Sequence, residues 1–173
     1  MTSDTEALAP DIADPETLLH DAHHASLRLW LRLLTCTLTI ERRVRARLRE
    51  QFAITLPRFD LMAQLERHPQ GLKMGELSRR LMVTSGNVTG LTDQLAAEGM
   101  VERTPIPGDR RAFLVRLTPK GKQAFGAMAA AHERWIIDIF SGLSEAERGK
   151  LHALLGQLKT TMPAADRHEG EKE

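Results

Sequence analysis

Two adjacent arginines stand at a glycine turn in the stretch PGDRRAFLVRLTPKG, residues 107–121. Arg110 and Arg111 come directly before an alternating apolar run that is typical of a strand. A guanidinium at the tip of such a turn can bind a phosphate, or can enter a minor groove where A·T-rich DNA concentrates negative potential. Arginines in a turn can also be merely solvated, so the surrounding elements must decide between these interpretations.

A second group of candidate residues lies upstream, in TSGNVTGLTDQLAAEGM, residues 84–100. Thr84 is a good N-cap for a helix, and Val88, Leu91 and Leu95 fall on one face of it. Two glycines inside a helix cost about 1 kcal/mol each relative to alanine, but here they would make a smooth strip that can approach the floor of a major groove. The opposite, outward face carries Gly86, Thr89, Gly90, Asp93 and Ala97.

Polar side chains flank this strip and can hydrogen-bond base edges or phosphates: Ser85, Asn87 and Thr89. An asparagine such as Asn87 can pair with adenine, and the helix N-terminus itself attracts phosphate. The alternative interpretation is a surface helix that merely tolerates its glycines. Four basic residues nearby are further candidates for phosphate contacts: Arg79, Arg80, Arg103 and Lys120.

The charge pattern of the chain points the same way, although the net charge is only +1. Residues 1–27 hold six acidic residues and no lysine or arginine, whereas residues 28–70 hold nine arginines against four acids. Residues 71–125 hold nine basic and five acidic residues, and residues 126–173 hold six basic and eight acidic ones. A basic middle between acidic ends indicates a polyanionic partner.

Several function classes find no support in the sequence. No apolar run approaches the ~20 residues of a membrane helix, and the acidic N-terminus is unlike a signal peptide. The chain lacks a phosphate loop, a nucleophile elbow and a His-Glu-x-x-His helix. The single cysteine, Cys36, suits a reducing compartment. We therefore expect a cytoplasmic protein that is not an enzyme and holds no cofactor.

Periodicity and punctuation predict the elements that position these residues. Asp14-Pro15 reads as the start of one long helix that runs to about Phe52. Two short helices joined by about three residues, near 75–81 and after Thr84, form a helix-turn-helix. A β-hairpin directly after them makes a winged helix. The other predicted elements are a helix at 56–68, the hairpin at 101–118, and helices that start at 119 and 144.

The predicted fold class is mainly α with a small β-hairpin wing: a winged helix-turn-helix flanked by long N- and C-terminal dimerisation helices. The predicted organisation is a flexible acidic tail (1–13), an N-terminal helical dimerisation region (14–55), a winged helix-turn-helix DNA-binding domain (56–121), C-terminal dimerisation helices (122–162) and a polar tail (163–173).

These residues resemble the MarR family of bacterial transcription regulators over roughly residues 25–160. The segments LPRFDLMAQLERHPQGLKMGELSRRL and LTDQLAAEGMVERTP resemble its second to fourth helices and first wing strand. The most specific part is GDRRAFLVRLTPKG, which resembles the wing signature of the family through Asp109, Arg111, Leu117, Thr118 and Gly121.

The resemblance implies a homodimer that binds double-stranded DNA, usually as a repressor whose affinity is changed by a small molecule. A two-fold dimer would read a pseudo-palindromic operator with half-sites about one helical turn apart. In the family, the acid that matches Asp109 braces the arginine that matches Arg111, which leaves Arg110 for a phosphate. The competing hypothesis is a winged helix that binds another protein and not DNA.

The resemblance also implies an effector site where the dimer helices meet the winged helix. Arg28 and Arg32, four residues apart on one helix face, could hold a carboxylate, and Trp30 and His24 lie close by. An aromatic carboxylate or its thioester is the predicted ligand. The alternative is that these are interface or surface residues.

Two other kinds of sensing stay open as alternatives. His20, His23 and His24 have helical metal-ligand spacing, which would suit zinc. Cys36 lies in LLTCTLT, and this apolar surround favours an inert buried thiol. Redox-sensing members of the family support their cysteine with tyrosines, and this chain has none.

Overall fold

The computed structural model describes residues 24–106 and 109–162, with only the backbone described at 109–112. The described chain divides into two compact units, whose boundary after Met128 falls inside the fifth helix. The predicted mainly α fold with a small antiparallel sheet is confirmed. The described elements are α1 (Ala25–Phe52), α2 (Leu56–Glu66), β1 (Leu72–Lys73), α3 (Met74–Leu81), α4 (Ser85–Ala97), β2 (Val101–Ile106), β3 (Asp109–Leu117), α5 (Pro119–Ile139) and α6 (Glu145–Thr161).

The helix-turn-helix consists of α3, a turn at residues 82–84, and α4. Leu77 on α3 and the predicted inward residues Val88 and Leu95 on α4 are fully buried. Thr92 is buried with them, which the apolar pattern did not predict. Its hydroxyl donates to the carbonyl of Val88 at 2.7 Å, so a polar side chain fits the core because its own helix satisfies it.

The sheet has three antiparallel strands in the order β1-β3-β2. The hairpin of β2 and β3, called the wing below, was predicted, and Val101 pairs with Leu117 at its base. Leu72 on β1 pairs with Val115 on β3. The strand β1 was not predicted, because two residues are too short to show an alternating pattern.

The start of α5 is tied to the end of α4 at the base of the wing. Gly99 has a positive φ of 70°, the left-handed conformation predicted for it after α4. The Thr118 hydroxyl donates to the Gly99 carbonyl at 2.7 Å and accepts from the Gly121 amide at 3.0 Å. A Cβ built on Gly121 would lie 1.9 Å from the carbonyl oxygen of Met100. Glycine is required here because the two backbones touch.

Helix α1 is long, and only Val44 and Leu48 are buried on it. Trp30 is 55% exposed, and much of the apolar stripe around it is also exposed. The predicted helix start at Asp14-Pro15 lies outside the described residues. Cys36 is exposed, so the prediction of a buried thiol was wrong: its apolar neighbours belong to a face that this single chain leaves uncovered.

The second unit holds the last part of α5 and the helix α6. Ser144 and Glu147 form the predicted capping box, in which the Ser144 amide donates to a Glu147 carboxylate oxygen at 2.8 Å. Hydrogen bonds from Ser144 hold the pKa of Glu147 below its ordinary value. No residue of α6 is buried, and its exposed apolar stripe comprises Leu151, Leu154, Leu155 and Leu158. None of the described helices is long and apolar enough to cross a membrane.

Candidate nucleic-acid interface and effector cavity

The first turns of α4 present an open face. Thr84 caps the helix, and its hydroxyl accepts from the Asn87 amide at 3.5 Å. A Cβ added at Gly86 or Gly90 would meet no atom within 4 Å, so both glycines border open space. The structure therefore places the predicted smooth strip on the surface. The exposed residues of this face are Ser85, Gly86, Asn87, Thr89 and Gly90.

Arg79 and Arg80 lie exposed in the last turn of α3, just before the turn that leads into α4. Cations at a helix C-terminus are stabilised by its dipole. The turn itself is fixed, because the Ser78 hydroxyl donates to the Val83 carbonyl at 2.6 Å. Both arginines thus lie exposed just before the turn into α4, and their contacts with phosphate stay a prediction.

An ion pair joins α4 to the wing. Arg103 on β2 places its Nη2 atom 2.5 Å from the carboxylate of Asp93, which belongs to the outward face of α4. Both side chains stay accessible, with 32% of Arg103 and 56% of Asp93 exposed. Sequence reasoning named each residue but missed the pair, since residues on different elements share no periodicity.

Lys120, another candidate for a phosphate contact, is also engaged within the protein. Its Nζ donates to the carbonyl of Glu98 at 2.8 Å and so neutralises the C-terminal end of α4. On the wing, Arg116 binds Glu102 at 2.6 Å and the Thr104 hydroxyl at 3.3 Å. These contacts hold the sheet surface beside α4 in a defined arrangement.

The tip of the wing carries the predicted brace and minor-groove contacts. The backbone of Asp109, Arg110 and Arg111 belongs to β3, where Asp109 is in register with Ile106. The side chains of these three residues lie outside the described part of the structure. Their roles therefore stay predictions.

A cavity of about 180 Å³ lies in the first unit, between the end of α1, α2, the end of α4 and the start of α5. Arg58 on α2 forms an ion pair across it with Glu98, the C-cap residue of α4. The Arg58 side chain is only 12% exposed. Its Nε is buried without a hydrogen-bond partner among the described residues. The apolar lining includes Phe52, Ile54, Met62, Met100 and Met128.

The predicted effector residues lie elsewhere. His24 precedes α1, and Arg28, Trp30 and Arg32 lie in its first turns. The cavity is lined by the other end of α1, which along the helix is about 30–40 Å from these residues at 1.5 Å per residue. The structure therefore does not bring these four residues to the cavity, and their role in ligand binding stays a prediction.

No group of three potential metal ligands occurs within residues 24–106 and 109–162. Two members of the predicted histidine cluster, His20 and His23, lie outside those ranges. Zinc binding at this cluster stays an alternative prediction.

One carboxyl group near the α1–α2 packing has an altered acidity. Burial raises the pKa of Asp60 on α2 above its ordinary value; Arg45 on α1 opposes this shift, and Glu41 adds to it. Arg45 and Glu41 form an ion pair of their own along α1. Asp60 thus bears a desolvation cost that its neighbouring cation only partly offsets.

Comparison with known proteins agrees with this geometry. Residues 54–113 match the MarR family model. The chain is 31% identical over 111 residues to the HTH-type transcriptional regulator PecS of Dickeya dadantii, an alignment that covers 63% of this chain and 67% of PecS. Alignments to the next two curated relatives cover 56% and 58% of their lengths.

Solved structures give a longer match. A MarR family transcriptional regulator from Silicibacter pomeroyi is 32% identical, with a TM-score of 0.69 over 83% of this chain and 100% of that one. A mutant of E. coli MarR complexed with operator DNA shares the fold at 24% identity, with a TM-score of 0.68 over 80% of this chain and 99% of that one. The chain belongs to the MarR family of transcriptional regulators.

Proposed function

We propose that the protein is a cytoplasmic, homodimeric transcriptional regulator that binds a pseudo-palindromic operator in double-stranded DNA. It represses transcription until a small anionic ligand releases it from the operator. The observation that carries the DNA-binding part is the open face of α4. A helix surface with two glycines bordered by empty space costs stability and has no packing reason, but it suits close approach to a major groove. The E. coli MarR mutant solved with operator DNA has the same fold.

We assign the DNA contacts by element. The α4 face reads base edges, with Thr84, Ser85, Asn87 and Thr89 as polar contacts, and Gly86 and Gly90 as the close-approach strip. Arg79 and Arg80 bind phosphate from the end of α3. At the wing tip, Arg111 enters the minor groove with Asp109 as its brace, and Arg110 binds phosphate.

The dimer interface is assigned to two apolar surfaces that the single chain leaves open. In the first unit, α1 exposes Leu29, Trp30 and Leu38 by more than half of their surface. In the second unit, α6 exposes its leucine stripe along its whole length. Contiguous exposed apolar surface of this kind marks an interaction site.

The effector site is assigned to the Arg58 cavity. Its volume of about 180 Å³ is below the ~300–1,000 Å³ of sites for larger ligands, so it suits a single-ring aromatic carboxylate. The ligand carboxylate would take the Arg58 guanidinium, whose Nε is unpartnered among the described residues. It would thereby displace Glu98 and loosen the link between α2 and the end of α4.

DNA binding is tested by selecting preferred sites from random DNA and measuring affinity across a salt series. We expect a palindromic consensus and a logarithmic affinity that falls linearly with the logarithm of salt concentration, by about 0.9 per neutralised phosphate. Gly86→Glu and Arg111→Ala should each weaken binding. Salt-independent behaviour with no preferred site would favour the protein-interaction module instead.

Ligand binding is tested by calorimetry with a panel of aromatic carboxylates. Arg58→Ala should abolish binding if the cavity is the site, whereas the double variant Arg28→Ala, Arg32→Ala should abolish it if the first turns of α1 form the site. The second result would reinstate the prediction made from sequence. A panel with no binder would remove the aromatic carboxylate from the proposal.

A further inference from the structure

Met82 is the most exposed large apolar residue in the described chain, with 91% of its surface open to solvent. It lies in the turn between α3 and α4, two residues after Arg80 and two before Thr84. An exposed methionine makes no contribution to the core. Packing therefore does not explain why a methionine occurs at this position.

The backbone at Met82 is unfavourable for any residue with a side chain. Its φ of 53° and ψ of 40° are left-handed, a conformation that costs a non-glycine residue roughly 1–2 kcal/mol. The turn is nevertheless well formed, because the Val83 amide donates to the Ser78 carbonyl at 3.2 Å. Glycine is the usual residue at such a helix end, and it would relieve both the backbone strain and the apolar exposure.

Met82 lies between two elements that are proposed to bind DNA. It stands between the exposed arginines at the end of α3 and the capped N-terminus of α4, so its neighbours are groups that attract phosphate. The apolar group that a DNA major groove offers to a protein is the 5-methyl of thymine. A flexible thioether side chain adapts well to such a contact.

We propose that Met82 contacts a thymine 5-methyl group in each operator half-site and so contributes to sequence specificity. This inference rests on the proposed DNA-binding function. On this proposal, the strained backbone of Met82 is tolerated because its side chain recognises the operator. Backbone outliers tend to occur at functional positions.

The test is a cycle between Met82 and single thymine methyl groups. Operator duplexes obtained by selection are made with one thymine at a time replaced by deoxyuridine, which removes only the methyl. For the wild-type protein, one position in each half-site should lose about fourfold in affinity, the value expected for one buried methyl group. With Met82→Ala, the same replacement should have no effect, because coupled groups are not additive.

Thermal unfolding gives an independent readout. Met82→Gly should raise the melting temperature while it weakens operator binding. The matched control is Ala53→Gly at the end of α1, which also has a left-handed backbone with a φ of 51°. This control should raise the melting temperature without changing operator affinity.

The outcomes separate this inference from the function on which it rests. If selection returns no preferred DNA, both are overturned. If a preferred operator is found but no thymine methyl affects wild-type affinity, or the effect persists in Met82→Ala, only the role of Met82 is overturned. The measurement of each thymine methyl group with the wild-type protein needs no variant. The inference can therefore be overturned even if Met82→Ala fails to fold.

Discussion

At the scale of single residues, charges on the α4 face are paired where they would otherwise oppose DNA. An unpaired carboxylate at Asp93 would repel phosphate, but its ion pair with Arg103 neutralises it and limits the orientations of the guanidinium. We infer that Asp93 is a positioning residue. In this role Asp93 fixes the position of the Arg103 guanidinium, whose remaining N–H groups are left to bind a phosphate.

Asp93→Asn separates orientation from charge. Loss of one negative charge should strengthen binding to random DNA, while the ratio of operator to random affinity should fall about tenfold, as expected for one charge-assisted hydrogen bond. Affinity is measured on both DNAs at one salt concentration. Glu102→Gln is the control, because it removes a charge paired with Arg116 and leaves Arg103 in place. A ratio equal to that of the control would contradict the positioning role.

Asp60 supplies a prediction about pH. Its pKa is raised by burial, so the folded state binds its proton more tightly than the unfolded state does. Stability from this group is therefore highest at acid pH and falls as pH rises through the raised pKa. Asp60→Asn should unfold at a higher temperature than the wild type at pH 7. The difference should shrink as the pH approaches the ordinary Asp value of about 3.9.

Thermal scans between pH 4 and 8 provide the check, with the exposed acid variant Glu133→Gln as the control. That variant should follow the wild-type curve. An Asp60→Asn melting temperature at or below that of the wild type at pH 7 would show that attraction to Arg45 outweighs the desolvation cost.

At the scale of elements, the start of α5 depends on one glycine. Gly121→Ala should destabilise the protein by about 3 kcal/mol, because the new methyl would overlap the Met100 carbonyl and force the backbones apart. Gly126 lies on the same helix with nothing within 4 Å of a Cβ. Gly126→Ala should therefore stabilise by about 0.5–1 kcal/mol. Denaturant unfolding measures both, and equal effects would refute the close-contact explanation.

In the glycine strip of α4, by contrast, substitution by alanine should increase stability and weaken operator binding. Gly86→Ala and Gly90→Ala should each stabilise the helix by about 1 kcal/mol, since nothing opposes a methyl there. Operator affinity should nevertheless fall at least tenfold, because the helix axis could no longer approach the groove floor. Gly126→Ala again serves as the control, with a similar gain in stability and unchanged affinity. Unchanged affinity in both α4 variants would show that the strip is merely tolerated.

Sequence reasoning recovered most of these elements because long periodic helices, caps and a glycine turn are local signals. It missed β1, whose pairing with Val115 is visible only when the distant strand is in place. It also missed the Asp93–Arg103 and Arg58–Glu98 pairs and the burial of Thr92, all of which depend on packing between turns or elements. Cys36 was misassigned because an apolar neighbourhood along a helix does not say which face is covered.

At the scale of the whole molecule, the proposed dimer would cover the exposed leucines of α6. Leu154 is 63% exposed in the middle of the α6 stripe. Leu154→Lys should dissociate the dimer at micromolar concentration in sedimentation velocity, because a buried lysine at an apolar interface is strongly unfavourable. Thr160→Lys, also on α6 but off this stripe, should leave the dimer intact. A wild-type protein that sediments as a monomer would contradict the dimer itself.

The effector site proposed at the Arg58–Glu98 ion pair has a consequence for how the ligand and the operator act on each other. Coupling between two sites is reciprocal: if the ligand weakens operator binding by a given factor, the operator weakens ligand binding by that same factor. Molecules already seated on DNA would then respond only at higher ligand concentrations than those free in solution. The number of operators in the genome would thus set the threshold at which the ligand acts, without any change in the protein.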